Sequence, residues 1–570
     1  MSTYQAQVVV AEVEPSRPSA SSRVGDFLKT ALVWLGVAFV AFLAVYRLNP
    51  PDAVNEAAPA MQFSAGRAMR HLGVIAQTPR SVGSPGHDQA RAYILEQLRG
   101  LGFDAQQQDG AVVSNLMARL AGTAGGGKAV VLVGHYDTVP RSPGAADDGY
   151  AVATLLETAR ALKAGPPLKH DVIFLFTDGE ERGLLGAKAF VHGHPWGREA
   201  GLVLNFDARG DAGPFLMFQT SDPDGWLVEE FGKAAPSPVA NSMMSDIYRM
   251  LPNDTDFTVF RDAGVAGLNF ACIDGFHAYH TQGDDLQHSD GRTLQHAGSQ
   301  ALALARHFGD ADVNLNGEGR AVYFDVLRAV LVRYSQGWAL PLAVVAALLF
   351  AAVVAYGLVK RQLTLSGVAQ GLLALPLSIA GAAVLVAAAQ SLGANGSETA
   401  ARGYAYRDLY LLGLLALTLA ATSGVYVWFR RGVGAQDLTA GTLLWWLILT
   451  TLTTLFLPGG SYLFTWPLLF GLVALGLSLV MKSQLPTSSA RQLLFSACAI
   501  PAVVLVFPMA YLMLVGLALQ WAAVIMALVV LALALIVPHL CGAASRRNWW
   551  FPAGSAVAGL MLIAVVHLGS

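Results

Sequence analysis

Two patterns of apolar and polar residues divide the chain. Between residues 48 and 320 short apolar runs alternate with amphipathic ones, whereas from Trp338 onward long apolar stretches follow one another, broken only by brief charged segments. In the first part Val130–Gly134, Val172–Thr177, Leu202–Phe206, Phe215–Thr220 and Ala266–Ala271 are bounded by Gly, Asp or other polar residues and predict buried strands. Helical spacing over His87–Leu101, Tyr150–Ala164, Trp226–Ala234 and Thr293–Phe308 lies between and around them. Strands alternating with helices predict an α/β layered domain, in which chemistry gathers beyond the carboxyl ends of the strands.

The second pattern predicts membrane. Thr30–Tyr46 carries no charge, with Arg17, Arg23 and Lys29 ahead of it and Arg47 directly after, without a small-residue cleavage pattern. It is near the lower length limit for a spanning helix and reads as an uncleaved anchor rather than a signal peptide. Further spans are expected near 338–359, 365–389, 409–428, 439–457, 462–481, 493–513, 516–537 and 549–568. The expected order is a cytoplasmic tail over 1–29, an anchor over 30–47, a globular domain over 48–320, a linker over 321–337 and a bundle of about eight helices over 338–570. Lys360, Arg361, Arg430, Arg431, Lys482, Arg491, Arg546 and Arg547 fall in alternate loops, while the opposite loops hold only Arg402 and Arg407. The positive-inside rule places those eight residues, with the N-terminal tail, in the cytoplasm and the globular domain on the far side.

Composition sharpens this division. Of 37 basic and 39 acidic residues only 13 lie in 337–570, so the head is built for water and the remainder for lipid. A net charge of −2 excludes a polycationic nucleic-acid binder. Three cysteines, Cys272, Cys498 and Cys541, exclude a disulfide framework. No Asp, Glu, Lys or Arg falls inside a C-terminal span as drawn, which argues against ion-coupled transport. The bundle reads as an anchor and scaffold, or as a device presenting membrane-associated peptides to the head.

Five segments of the head carry candidate chemistry: Gly134–Thr138, Pro143–Gly149, Asp178–Gly183, Asn205–Asp207 and Tyr279–Thr281. Three of them begin where a predicted strand ends, and each offers a histidine or carboxylates. Singly, each has an ordinary explanation as a helix cap or a hydrogen-bonded loop residue. Together, imidazole and carboxylate without thiolate suit zinc in a hydrolytic rather than a structural site.

At these residues the chain resembles the cocatalytic di-zinc exopeptidases of metallopeptidase family 28, in particular its membrane branch. His135-Tyr136-Asp137 matches the family's His-x-Asp, Pro143–Asp148 its Gly-Ala-x-Asp-Asp/Asn turn, and Glu180–Gly186 its Glu-Glu-x-Gly-Leu-x-Gly run. His194-Pro195-Trp196, Asn253–Phe257 and Tyr279-His280-Thr281 resemble the membrane branch. The resemblance implies a three-layer zinc-exopeptidase-like mixed sheet flanked by helices, and two Zn2+ ions. Asp147 would bridge them, His135 and Asp207 would complete one site, and Glu181 with His280 the other. Glu180 would be the general base acting on a metal-bridging hydroxide, and Asp137 would accept the free ring N–H of His135. A tyrosine that stabilises the oxyanion in soluble relatives has no matched position, Tyr248 being out of step, and Asp207 stands where some membrane relatives carry Glu.

The reading is a membrane-anchored zinc exopeptidase, an aminopeptidase acting on peptides outside the cytoplasm. The head would be periplasmic in a bacterium and lumenal in a eukaryote. The competing readings are a catalytically silent receptor or scaffold, which the full ligand set disfavours, and a carboxypeptidase or glutaminyl cyclase on the same fold. No substrate-binding residue and no oligomeric state follow from the sequence, and Arg209 serves equally as a carboxylate contact or as an ion-pair partner of Asp211.

Overall fold

A computed structural model of the chain describes residues 20–312, 319–391, 406–482, 484, 488–517, 519–540 and 549–568. Most of the predicted tail, and Arg402, Arg546 and Arg547 among the orienting charges, lie outside them.

The head is built on a seven-stranded mixed sheet of β1 (Gln106–Asp109), β2 (Ser114–Leu120), β3 (Ala129–His135), β4 (Val172–Thr177), β5 (Ala200–Ala208), β6 (Leu216–Thr220) and β7 (Ala266–Cys272), ordered β1-β2-β4-β3-β5-β7-β6. The four central strands β4, β3, β5 and β7 run parallel, and β1, β2 and β6 pair antiparallel at the flanks. Central strands covered on both faces need apolar side chains throughout, and β3, β4 and β7 are buried along their whole length. The five predicted strands are β3 to β7. β1 and β2 escape the pattern: β1, Gln-Gln-Gln-Asp, is a half-exposed edge, and β2 carries Asn115 and Arg119 within its apolar run.

Parallel strands put all their carboxyl ends on one edge of the sheet, and register then decides which residues meet. Val133 pairs with Asn205, so two residues further on His135 and Asp207 stand side by side, on the same face, at the tips of β3 and β5. His135 pairs directly with Thr177 at the tip of β4, immediately before the Asp178–Gly183 segment.

Residues 321–337, read above as a linker, instead fold into a hairpin of β8 (Ala321–Val326) and β9 (Val330–Ser335). Alternation along β8 explains it: Tyr323 packs into the head core while Val322 and Phe324 join the apolar core of the bundle. β8 is a shared layer between two cores.

Among the described residues seven helices are long and apolar enough to cross a membrane: Leu28–Tyr46, Gln336–Val359, Leu365–Ser391, Arg407–Phe429, Ala435–Phe456, Tyr462–Val480 and Ser489–Gly516. Ala522–Ala534, expected as part of a full span, is only 13 residues, about 20 Å at 1.5 Å per residue, against a hydrocarbon core of about 30 Å. A turn follows it before the short Val537–Leu540 helix that contains Pro538. Trp550–Val566 is likewise apolar but shorter than the spanning helices.

The head docks on one end of the bundle. Arg407 pairs with Asp274, Gly459 N donates to Asp246 Oδ2 (2.8 Å), Ser242 Oγ donates to Gly459 O (2.6 Å), and Phe324 stacks on Tyr462 at 4.5 Å. Each of these bundle residues lies at the helix end remote from Lys360, Arg361, Arg430, Arg431, Lys482 and Arg491.

Candidate metal centre

The seven predicted site residues converge at the carboxyl edge of the sheet. His135 ends β3, Asp207 is the penultimate residue of β5, and Glu180 and Glu181 follow β4 after a turn in which Gly179 takes φ 67°. Asp147 precedes the Gly149–Lys163 helix, for which Asp148 is the N-cap, accepting Ala151 N at 3.3 Å. His280 sits in the loop after β7 with φ 59°, in the left-handed region, its ring stacked 3.7 Å from that of Tyr279.

Two groups of three ligand atoms result, each within 4.8 Å: His135, Asp147 and Asp207, and Asp147, Glu181 and His280. Asp147 serves both through different oxygens. Its Oδ1 is 3.2 Å from His135 Nε2 and its Oδ2 is 3.1 Å from His280 Nε2. His135 Nε2 is 4.0 Å from Asp207 Oδ1, and His280 Nε2 is 3.0 Å from Glu181 Oε1. Glu180 belongs to neither group and lines the adjoining cavity.

Two observations test whether metal fits. Glu181 Oε1 and His280 Nε2 are both buried and 3.0 Å apart, at ion-pair distance but without hydrogen-bond geometry. Polar atoms this enclosed are normally satisfied, and a shared cation satisfies both. The electrostatics agree. Burial, and then the crowd of Asp207, Asp256 and Glu181, pushes the Glu180 carboxyl well above its ordinary range against the opposing pull of His135. Burial likewise lifts Asp207 to about 7, with Asp147 adding to the rise. Asp147 runs the other way: its burial is outweighed by the two imidazoles, which hold it at about 2. His280 is pushed up to about 10, Asp147 and Glu181 overcoming its burial. The set holds more negative charge than its two imidazoles compensate, and divalent cations would relieve it.

Asp137 departs from expectation. The His135 ring nitrogen Nδ1 lies 3.1 Å from the Asp137 main-chain carbonyl, with the carboxylate Oδ1 further off at 3.6 Å. That carboxylate instead accepts Glu180 N at 3.0 Å. A side chain two residues along an extended turn points past the ring, so the carbonyl gets there first, and Asp137 positions the Glu180 backbone.

Residues outside the motifs build the frame. Asp284, which is buried, accepts Ala146 N (2.6 Å) and Asp147 N (3.1 Å) and so fixes the Asp147 loop from beneath. Arg80, fully buried, donates to the carbonyls of Tyr136 (2.9 Å), Ile75 (3.2 Å), Gly144 (2.9 Å) and Pro143, clamping the same loop to the tip of β3. Thr177 donates to the buried Asp256, and Asp148 Oδ2 accepts His135 N at 3.1 Å. Asp284 follows His280 by four residues, but one acid after a histidine motif carries no distinguishing mark, and Arg80 is one arginine among many.

Tyr248, Asn253, Asp254 and Arg209 all line the cavity. Arg209 lies 5.2 Å over the Phe276 ring, and its buried Nε has no hydrogen-bond partner among the described residues. His194 caps the Pro195–Glu199 helix by accepting Trp196 N, His288 pairs with Asp285, and His296 accepts Phe215 N at 3.0 Å, so these serve structure. Cys272 is buried and donates to Gly210 O.

With this geometry in place the chain can be compared with known proteins. The sequence profile of peptidase family M28 matches residues 115–305, which span β2 to β7 and contain both ligand groups. The head carries a peptidase family M28 domain. The chain is 29% identical over 342 residues to endoplasmic reticulum metallopeptidase 1 of Mus musculus, covering 54% of this chain and 38% of that protein. It is 34% identical over 226 residues to the vacuolar membrane protease of Candida albicans, covering 37% of this chain and 26% of that one. The chain therefore spans less than two fifths of these relatives' length. Among solved structures, a leucine aminopeptidase precursor from Bacteroides thetaiotaomicron aligns with TM-score 0.37 and 19% identity, over 44% of this chain and 98% of that one.

Proposed function

We propose that this protein is a membrane-anchored zinc-dependent exopeptidase, an aminopeptidase whose head faces away from the cytoplasm. The observation that carries the reading is the pair of ligand groups sharing Asp147, with a non-ligating carboxylate, Glu180, beside them. His135, Asp147 and Asp207 would hold one zinc ion and Asp147, Glu181 and His280 the other. Zinc bound there supplies Lewis acidity toward a peptide carbonyl and toward water at neutral pH.

The chain's own residues do the rest. Glu180, whose carboxyl is raised by burial and neighbouring acids, takes a proton from water and returns it to the leaving amine. Asp137 holds the Glu180 amide, and Gly179 with its positive φ turns the segment so that consecutive glutamates face different ways. Orientation follows from charge: the head contacts the helix ends away from the basic loops, and basic loops stay in the cytoplasm.

The test uses the full chain in detergent or nanodiscs, with zinc measured per protein and aminoacyl-anilide cleavage followed with and without chelator. Cleavage that stops on chelation and returns with zinc is expected. Glu180→Gln should keep the metal and lower kcat by a factor of about 100 or more. Full turnover in Glu180→Gln removes the base assignment, and a wild-type protein that binds no zinc removes the reading.

A further inference from the structure

The cavity beside the candidate metal centre encloses about 590 Å3, and its walls come from two domains. One wall is the acidic site. The membrane bundle supplies part of the lining: Met509, Leu512, Met513 and Gly516 of the Ser488–Gly516 helix and Leu517 directly after it, joined by Ile273, which follows β7. We propose that the bundle completes the active site, the carboxyl-terminal two turns of this membrane helix forming the side-chain subsite that selects large apolar residues at the cleaved end of the peptide. The inference rests on the peptidase reading above.

Three features support it. First, the wall is held firmly. Leu512 packs in one buried cluster with Leu48, Leu216, Phe218 and Ala271, and Asp274, next to Ile273, is pinned by Arg407 and lies 3.4 Å from Tyr511 Oη. At Gly516 a Cβ would stand 3.1 Å from Ile273 Cδ1, so the absent side chain lets the helix approach closely. Second, the cavity sets carboxylates for the reacting amide beside thioether and aliphatic groups, to which the bundle adds Met509, Leu512, Met513 and Leu517 and the head Met244, Ile247 and Leu251. Methionine adapts to varied apolar shapes, which suits selection for size and apolarity rather than for one residue. Third, the depth is right. The helix has 29 residues, about 43 Å at 1.5 Å per residue, some 13 Å more than the hydrocarbon core of about 30 Å. Measured from Arg491 at the basic end, about 30 Å is reached near Tyr511, so the segment lining the cavity emerges at the level of the membrane surface. Peptides with apolar ends accumulate at that level.

Two measurements on the full chain in nanodiscs decide the matter. A pentapeptide with photo-leucine at its N-terminus, irradiated with the Glu180→Gln protein, should place cross-links within residues 509–517. In parallel, kcat/KM for Leu- and Ala-anilides should favour Leu at least tenfold, and Met513→Gln should cut that ratio by tenfold or more with zinc content preserved. Cross-links confined to the head, or a Leu-to-Ala ratio unmoved by both Met513→Gln and Met509→Gln, overturn the inference even in an active enzyme. Cross-linking to 509–517 in a wild-type protein that cleaves nothing would keep the subsite and remove the peptidase reading.

Discussion

The site's geometry depends on a carboxylate that touches no ligand side chain. Asp284 accepts the backbone amides of Ala146 and Asp147 at 2.6 and 3.1 Å, and with them it orients the residue that serves both ligand groups. Asn at this position has nearly the same shape but a single accepting oxygen. One amide keeps its bond, and the other meets an NH2 group in a buried place. A hydrogen bond to a charged acceptor contributes about 1.5–3 kcal/mol, and an unsatisfied buried amide costs about 1–3 kcal/mol. Asp284→Asn should therefore cost roughly 2–4 kcal/mol, divided between folding and metal binding. Since 1.4 kcal/mol is a factor of ten, and removing a group that orients a ligand typically lowers affinity 10- to 100-fold, zinc affinity should fall by about that much. Competition against a fluorescent chelator, run beside thermal unfolding of the zinc-free protein, separates the two parts. An Asp284→Asn protein with wild-type zinc affinity and a wild-type unfolding midpoint would refute the claim that this carboxylate sets the loop.

Three further outcomes are expected. Arg80→Met removes the donor to four carbonyls, three of them buried, and should cost about 3–5 kcal/mol, read as a lowered denaturation midpoint of the head. Gly144→Ala forces a side chain at φ 63° and brings Cβ to 2.3 Å from Thr138 Cγ2 and 2.4 Å from Asp147 O, so zinc content should fall along with about 2–3 kcal/mol of stability. Acid should weaken the head through His296, whose burial lowers it to about 4 from 6.5 while its ring accepts Phe215 N. The unfolded chain then binds the proton first, so the contribution is whole above pH 6.5 and lost as pH falls toward 4. It amounts to about 3 kcal/mol, and His296→Gln should flatten that part of the denaturation profile measured between pH 7 and 4.5.

Much of this protein is legible in one dimension. The central strands are apolar because both their faces are covered, and the membrane helices are apolar because lipid surrounds them, so each announces itself by local composition. Three of the five candidate ligand segments begin at strand ends, where a parallel sheet must gather them, and their residue types suit zinc in a hydrolytic site. Other features depend on partners far away in sequence. The edge strand β1 and its neighbour β2 exist because β4 offers β2 a ladder and β2 offers one to β1, and β8 became structure rather than linker because two apolar cores flank it. Asp284 and Arg80 acquire their roles only when the Asp147 loop is folded between them. The meeting of Met513 with an acidic site more than 230 residues earlier is a property of how head and bundle dock. Periodicity reports what a residue's own element needs, whereas long-range contact, which no local pattern encodes, decides what that residue faces.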